Sequence, residues 1–269
     1  MIAPVILAAF LRREWGISRS YRLAYVLSMA TTVINLTFYF ALGRLIDGSG
    51  AAPTAALEQG YFTFVIVPLS LLNLGTSALT SFSASLRAEQ QVGSLEVLLT
   101  TPAPVPLIVL GTAAYGLIQA AISTVILVSL AALIFGLNLD VGLWSGTAAA
   151  AALLLTCGLY AALGLLAASF TIVYKRTGQF LNLTMTVIGV FSGVYFPVSV
   201  LPEPLPILAR LIPFTWGIEA WRDALLTNQV LLGHLALLLV EAVVALPVAA
   251  WIFRLALDRA RRDGSLGQY

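Results

Sequence analysis

Side chains able to do acid, nucleophile or metal chemistry are few in this sequence, and their spacing narrows the choice further. One histidine, His234, and one cysteine, Cys157, occur in 269 residues. They cannot assemble a Cys-based zinc site, a metal shell or an internal disulfide. The only lysine, Lys175, stands between Tyr174 and Arg176, with no G-x-x-x-x-G-K-[ST] around it to cradle a nucleotide phosphate. Glu241 is the acid that most needs an explanation, because it lies about 10 residues inside an otherwise apolar run. A bare carboxylate there costs at least ~2.5–3.5 kcal/mol, so it needs a partner or a proton. One reading makes it a proton or cation site. The other, favoured because no second intramembrane charge is evident, keeps it protonated or hydrogen-bonded to a neighbouring helix. Asn35, Asn73, Gln119 and Asn182 are spread one to an apolar stretch, where interhelical hydrogen bonds explain them as well as ligand contacts do.

The elements that must position these groups follow from composition. The chain is 60% hydrophobic and 10% charged, with a mean hydropathy of +0.97, against about 25% charged in soluble domains. It is therefore read as an all-α integral membrane protein. The net charge of +2 gives no footing for nucleic acid. Six stretches are long enough for a hydrocarbon core of about 30 Å: Leu23–Leu45, Tyr61–Ser83, Leu107–Phe135, Leu143–Phe170, Phe180–Val200 and Leu231–Phe253. Only helices satisfy their own backbone in lipid without the alternation of a barrel. Residues 1–22 form an interfacial helix on this reading, with Trp15 and Tyr21 at headgroup depth. A cytoplasmic N-terminus places Arg12, Arg13, Arg19, Arg22, Arg87, Lys175, Arg176, Arg254, Arg259, Arg261 and Arg262 inside, and Arg44, Arg210 and Arg222 outside. That asymmetry is the positive-inside pattern, and an even number of spans leaves both termini cytoplasmic.

Two connections carry pattern. In the cytoplasmic segment 85–106, a polar helical run from Arg87 to Val92 stops at Gly93, a residue suited to a helix C-terminus. Ser94 can cap a second short helix, Glu96 suits its first turn, and Pro102 closes it. Leu95, Leu98 and Leu99 form one apolar face on a helix too short to stand alone. It must dock on its own bundle or on a partner. In the external segment 197–229, five prolines precede an amphipathic stretch from Phe214 to Leu226. Phe214, Trp216, Ile218, Trp221, Leu225 and Leu226 need cover from water, whereas Glu219, Arg222 and Asp223 need a polar environment. Both a re-entrant hairpin and a plain interfacial helix satisfy that combination.

The run Glu89-Gln90-Gln91-Val92-Gly93-Ser94-Leu95-Glu96-Val97-Leu98-Leu99-Thr100-Thr101-Pro102 resembles the segment between the second and third spans of ABC-2-type (type V) ABC exporter permeases. Ser192-Gly193-Val194-Tyr195-Phe196-Pro197, Leu201-Pro202, Pro213-Phe214-Thr215 and Glu219-Ala220-x-Arg222 are similar to that family's outer hairpin. The resemblance implies a dimer of six-helix subunits in a bacterial inner membrane, homodimeric or with a second permease, in contact with membrane lipid. Each subunit would dock a cytoplasmic ATPase, which binds ATP and Mg, through Arg87, Glu89, Gln90, Gly93, Ser94, Leu95 and Glu96. It implies a substrate path near the second and fifth spans, here Phe64, Asn73, Phe180, Asn182, Phe191 and Tyr195. It also favours the re-entrant reading of the hairpin, with Pro197, Pro213, Trp216, Glu219, Trp221 and Arg222 as an external cap. The implied function is ATP-driven export of an amphipathic, lipid-linked or glycan/drug-like substrate, with no catalytic residue, metal or cofactor in this chain. The competing readings are a proton-coupled secondary transporter using Glu241 and, last, an intramembrane hydrolase, for which no nucleophile, base and orienter come together.

Overall fold

The computed structural model describes residues 12, 22–49, 60–92, 105–174, 178–210, 212–228 and 230–262. Among them every regular element is helical: α1 (Arg22–Gly48), α2 (Tyr61–Val92), α3 (Val105–Phe135), α4 (Leu143–Tyr174), α5 (Gly178–Phe191), a 3-10 turn (Val198–Val200), α6 (Leu205–Arg210), α7 (Pro213–Leu226) and α8 (Leu232–Arg262). Five are long and apolar enough to cross a membrane, namely α1, α2, α3, α4 and α8. The interfacial helix expected over residues 1–22 and the short helix beginning at Ser94 lie outside the described residues.

The fifth apolar run behaves differently from its expectation over 180–200. Its helix α5 has 14 residues and ends at Phe191. That is about 21 Å of rise, short of a hydrocarbon core of about 30 Å. The stop has a local cause. Gly193 has φ +75°, a conformation open to glycine and strained for other residues, and Pro197 follows ahead of the 3-10 turn.

α2 is the axis of the molecule. Of its membrane-length stretch 78% is buried, against 11% of that of α1, and α2 touches α1, α3, α4, α5 and α7. Its partnership with α4 depends on two reciprocal gaps. A Cβ at Gly75 would run into the ring of Tyr160, and a Cβ at Gly164 into the ring of Phe82. Small residues of this kind let helices approach closely where lipid supplies no hydrophobic drive between them. α8 lies along the other side of α4, with Gly158 facing Ala242 and Leu246.

One end of the bundle gathers the short elements. Tyr61 N donates to Asp47 Oδ1 at 3.1 Å, closing α1 onto α2. Asp140 N donates to Leu225 O at 3.0 Å, and Gly142 N to Asn228 Oδ1 at 3.2 Å. These bonds fix the end of α7 to the α3–α4 connection, at what is called the hairpin end below.

Candidate functional site

The hairpin helix α7 begins with Pro213 at its first turn, where the missing N–H has no cost and φ is preset. Two residues past its last residue, Leu226, Asn228 has φ +50°, a left-handed turn that Asn tolerates. Between these points α7 runs antiparallel along α4: Asn228 meets Gly142, Gly217 meets Thr156, and the Phe214 ring lies 4.5 Å from that of Tyr160. Tyr160 is 17 positions after Leu143, about 25 Å along the helix. The start of α7 is therefore set deep beside α4. Thr215 Oγ1 donates to Ala209 O at 2.7 Å, tying the entry of α7 to α6.

Toward α2 the hairpin makes two polar attachments. Trp221 is buried, and its Nε1 donates to Ser70 Oγ at 3.2 Å; the Ser70 hydroxyl donates in turn to Val67 O at 2.6 Å. From α3, Thr124 Oγ1 donates to Ser70 O at 3.3 Å. Arg222 Nη2 donates to Gly193 O at 3.0 Å and to Phe64 O at 3.4 Å, while its guanidinium stacks 4.2 Å from the centroid of the Phe64 ring. Burial pulls the Arg222 pKa down to about 10, against the opposing pull of Glu219 and Asp223, so it is a cation at neutral pH.

Toward α8 the attachment is a carboxylate pair around one imidazole. Glu219 and Asp223 stand at i and i+4 on α7, on one face. His234 Nδ1 is hydrogen-bonded to Asp223 Oδ2 at 3.1 Å, and its Nε2 lies 3.6 Å from Glu219 Oε2. The Trp216 ring covers the same imidazole at 5.5 Å. Burial pushes both carboxyl pKa values up, against the lowering effect of His234. Among the described residues no group of three His, Cys, Asp or Glu is disposed to hold a metal ion. The arrangement fastens the hairpin and holds charge; it brings no nucleophile to a base.

The residues expected from the sequence fall into three places. Trp216, Glu219, Trp221 and Arg222 meet in the network just described, and Pro197 and Pro213 introduce the 3-10 turn and α7. Phe64, expected on a substrate path, is buried under Arg222, and Tyr195 packs over Gly189 of α5 with Phe191 half-buried nearby. Asn73 and Asn182 are exposed on α2 and α5, and Phe180 is the third residue of α5. Arg87, Glu89 and Gln90 belong to the last turns of α2, which runs unbroken to Val92; Gly93, Ser94, Leu95 and Glu96 lie outside the described residues. Ser70 and the bridging place of His234 between Glu219 and Asp223 were not foreseen, whereas the need of Asp223 for a polar partner was. For Asp223 the i, i+4 spacing to Glu219 was the available signal.

Residues 5–226 match the ABC-2 type transporter family. The chain belongs to that family. The inner membrane transport permease YadH of Escherichia coli K12 and that of Shigella flexneri are each 23% identical to this ABC-2 permease over 228 residues. The alignment spans 84% of this chain and 87% of theirs. The match to the family closes at Leu226, the last residue of α7, so the hairpin and its seat in α2 and α4 lie within the ABC-2 region. The protein is thus a multi-pass transmembrane transport subunit built on helices, and its family points to transport in place of catalysis.

Proposed function

We propose that this permease is the membrane half of an ATP-driven exporter in a bacterial inner membrane, working as a dimer with a separate cytoplasmic ATPase that binds ATP and Mg. The observation that carries the reading is α2. It spans the bundle beside the hairpin and continues past its apolar stretch to Val92, delivering Arg87, Glu89 and Gln90 to the end remote from the hairpin. That is where the segment through Glu96 begins and where a partner would push. Relatives named as inner membrane transport permeases support the location, and the distribution of Arg and Lys supports cytoplasmic termini.

In this reading α5 makes the fifth crossing together with residues 192–210, and α7 is a re-entrant helix capping the external mouth. Irregular backbone at membrane depth is tolerated when buried in protein, which fits the burial of Phe214 beside Tyr160 of α4 and of Trp221 beside Ser70 of α2. The substrate is amphipathic, lipid-linked or glycan/drug-like, passing the second and fifth spans near Phe64, Asn73, Phe180, Asn182, Phe191 and Tyr195. A second reading, proton-coupled transport through Glu241, draws on its Oε2 being buried without a hydrogen-bond partner.

The test is a pull-down of the detergent-solubilised permease expressed with its genomic neighbours, repeated with Glu96→Ala and Leu95→Asp. A stoichiometric ATPase retained by the native chain and lost from both variants is expected. A folded permease that retains no ATPase overturns the exporter reading and turns attention to proton-coupled flux and Glu241→Gln.

A further inference from the structure

Pro68 stands inside α2. It has no N–H to give, so the carbonyl four residues earlier, that of Phe64, loses its helical partner. In a membrane protein such an orphan must be satisfied by a neighbour. The neighbour here is Arg222, whose Nη2 reaches Phe64 O at 3.4 Å and Gly193 O at 3.0 Å. One carbonyl lies at the proline of α2 and the other just past the end of α5, where Gly193 turns the chain. The same guanidinium stacks on Phe64. On the far side of the proline, Trp221 holds Ser70, and Ser70 holds Val67. The hairpin therefore grips α2 before and after Pro68.

We propose that Arg222 is a positioning residue which locks a proline hinge in α2, so that α2 bends at Pro68 only when the hairpin moves with it. The source of the force rests on the exporter reading above; the hinge and its lock do not. With Arg222 seated, the Phe64 carbonyl is occupied and α2 is a single rod from the hairpin to Val92. With Arg222 withdrawn, the helix has one bond fewer at Pro68 and its two halves bend independently. Movement imposed beyond Phe82 is then no longer passed to α7.

The test uses the full chain carrying Cys157→Ala, with spin labels at positions 91 and 227 and the distance distribution between them measured by pulsed electron resonance. The native chain is expected to give one narrow distance. Arg222→Gln should broaden it, and Arg222→Lys, which keeps a cationic donor, should recover most of the narrowing. Adding Pro68→Ala to Arg222→Gln should restore a narrow distance, because residue 68 then supplies the N–H for Phe64 O. A narrow distance in the Arg222→Gln/Pro68→Ala and Arg222→Lys chains also shows that position 222 tolerates change without unfolding. An Arg222→Gln distribution as narrow as the native one overturns the proposal, as does broadening that Pro68→Ala fails to reverse. The comparison is made on the permease alone, so loss of the ATPase in the pull-down bears on the exporter reading and not on the hinge. With the ATPase bound, a non-hydrolysable nucleotide should shift the native distance and leave that of Arg222→Gln unmoved.

Discussion

Gly75 of α2 and Tyr160 of α4 occupy each other's space: the phenol ring fills the volume where a Cβ at position 75 would stand. Tyr160 also packs against Phe214, their ring centroids 4.5 Å apart, so a shift of its ring disturbs the hairpin as well. Gly75→Ala is expected to lower stability by roughly 1–3 kcal/mol, the usual cost of overpacking. Combining it with Tyr160→Leu should return part of the loss, since contacting sites are non-additive. Thermal unfolding in detergent, followed by tryptophan fluorescence, measures both.

Trp221 and Ser70 form a hydrogen bond across 151 residues of sequence inside the bundle. Trp221→Phe and Ser70→Ala should each cost about 1 kcal/mol. The double variant should cost less than the sum, because the second change removes a partner already lost. Strict additivity in a double-mutant cycle would show that the bond contributes nothing.

The carboxyl groups of Glu219 and Asp223 hold protons more tightly in the folded hairpin than in an unfolded chain, because burial raises both pKa values. The folded state then binds more protons than the unfolded one, so this contribution to stability is full below the ordinary carboxylate range and falls as pH rises through the raised values. Melting temperature should therefore fall as pH is raised from about 4, and the slope should flatten in Glu219→Gln/Asp223→Asn. An unchanged slope in that variant would place the titrating groups elsewhere.

Asn228 closes α7 with φ +50° and accepts from Gly142 N. Asn228→Ala loses the bond and meets left-handed strain, for a total of roughly 2 kcal/mol. Asn228→Gly keeps the turn and loses only the bond, about 1 kcal/mol. The order native, Gly, Ala in melting temperature is the expected result, and equal losses would remove the backbone explanation.

Glu241 is nine positions beyond Leu232, about 14 Å down α8, and its Oε2 is buried without a partner. Glu241→Gln is expected to leave ATP-dependent transport within about twofold and to raise stability, since a buried acid is costly in lipid. Transport abolished in a folded Glu241→Gln would instead favour proton coupling.

The long spans were legible because a run of some 20 apolar residues has few other fates. The start of α7 was legible because Pro213 marks a helix boundary in the residues themselves. α5 was not: Val194 and Phe196 keep the run apolar beyond the turn, so hydropathy does not register that Ser192 and Gly193 have ended the helix. The attachments of the hairpin were out of reach for another reason. Arg222 meets Phe64 across 158 residues and His234 meets Asp223 across 11; neither distance follows from a periodicity. What was readable was the need of Glu219, Arg222 and Asp223 for polar company, without the identity of that company. Pro68 carried a clue that a span-by-span reading passes over, because it says which carbonyl is free and nothing about what fills it.

The brevity of α5 has an electrical consequence on the re-entrant reading. A helix of 14 residues holds apolar cover for about 21 Å of a core of about 30 Å, leaving roughly a third of the thickness to turn backbone and hairpin. A charge travelling beside α5 then meets a low-dielectric slab about a third thinner than one beside α4. Its self-energy falls most steeply at the outer side, where Arg210 is exposed. The hairpin end would thereby lower the crossing cost of anions and cations alike, because self-energy grows with the square of the charge.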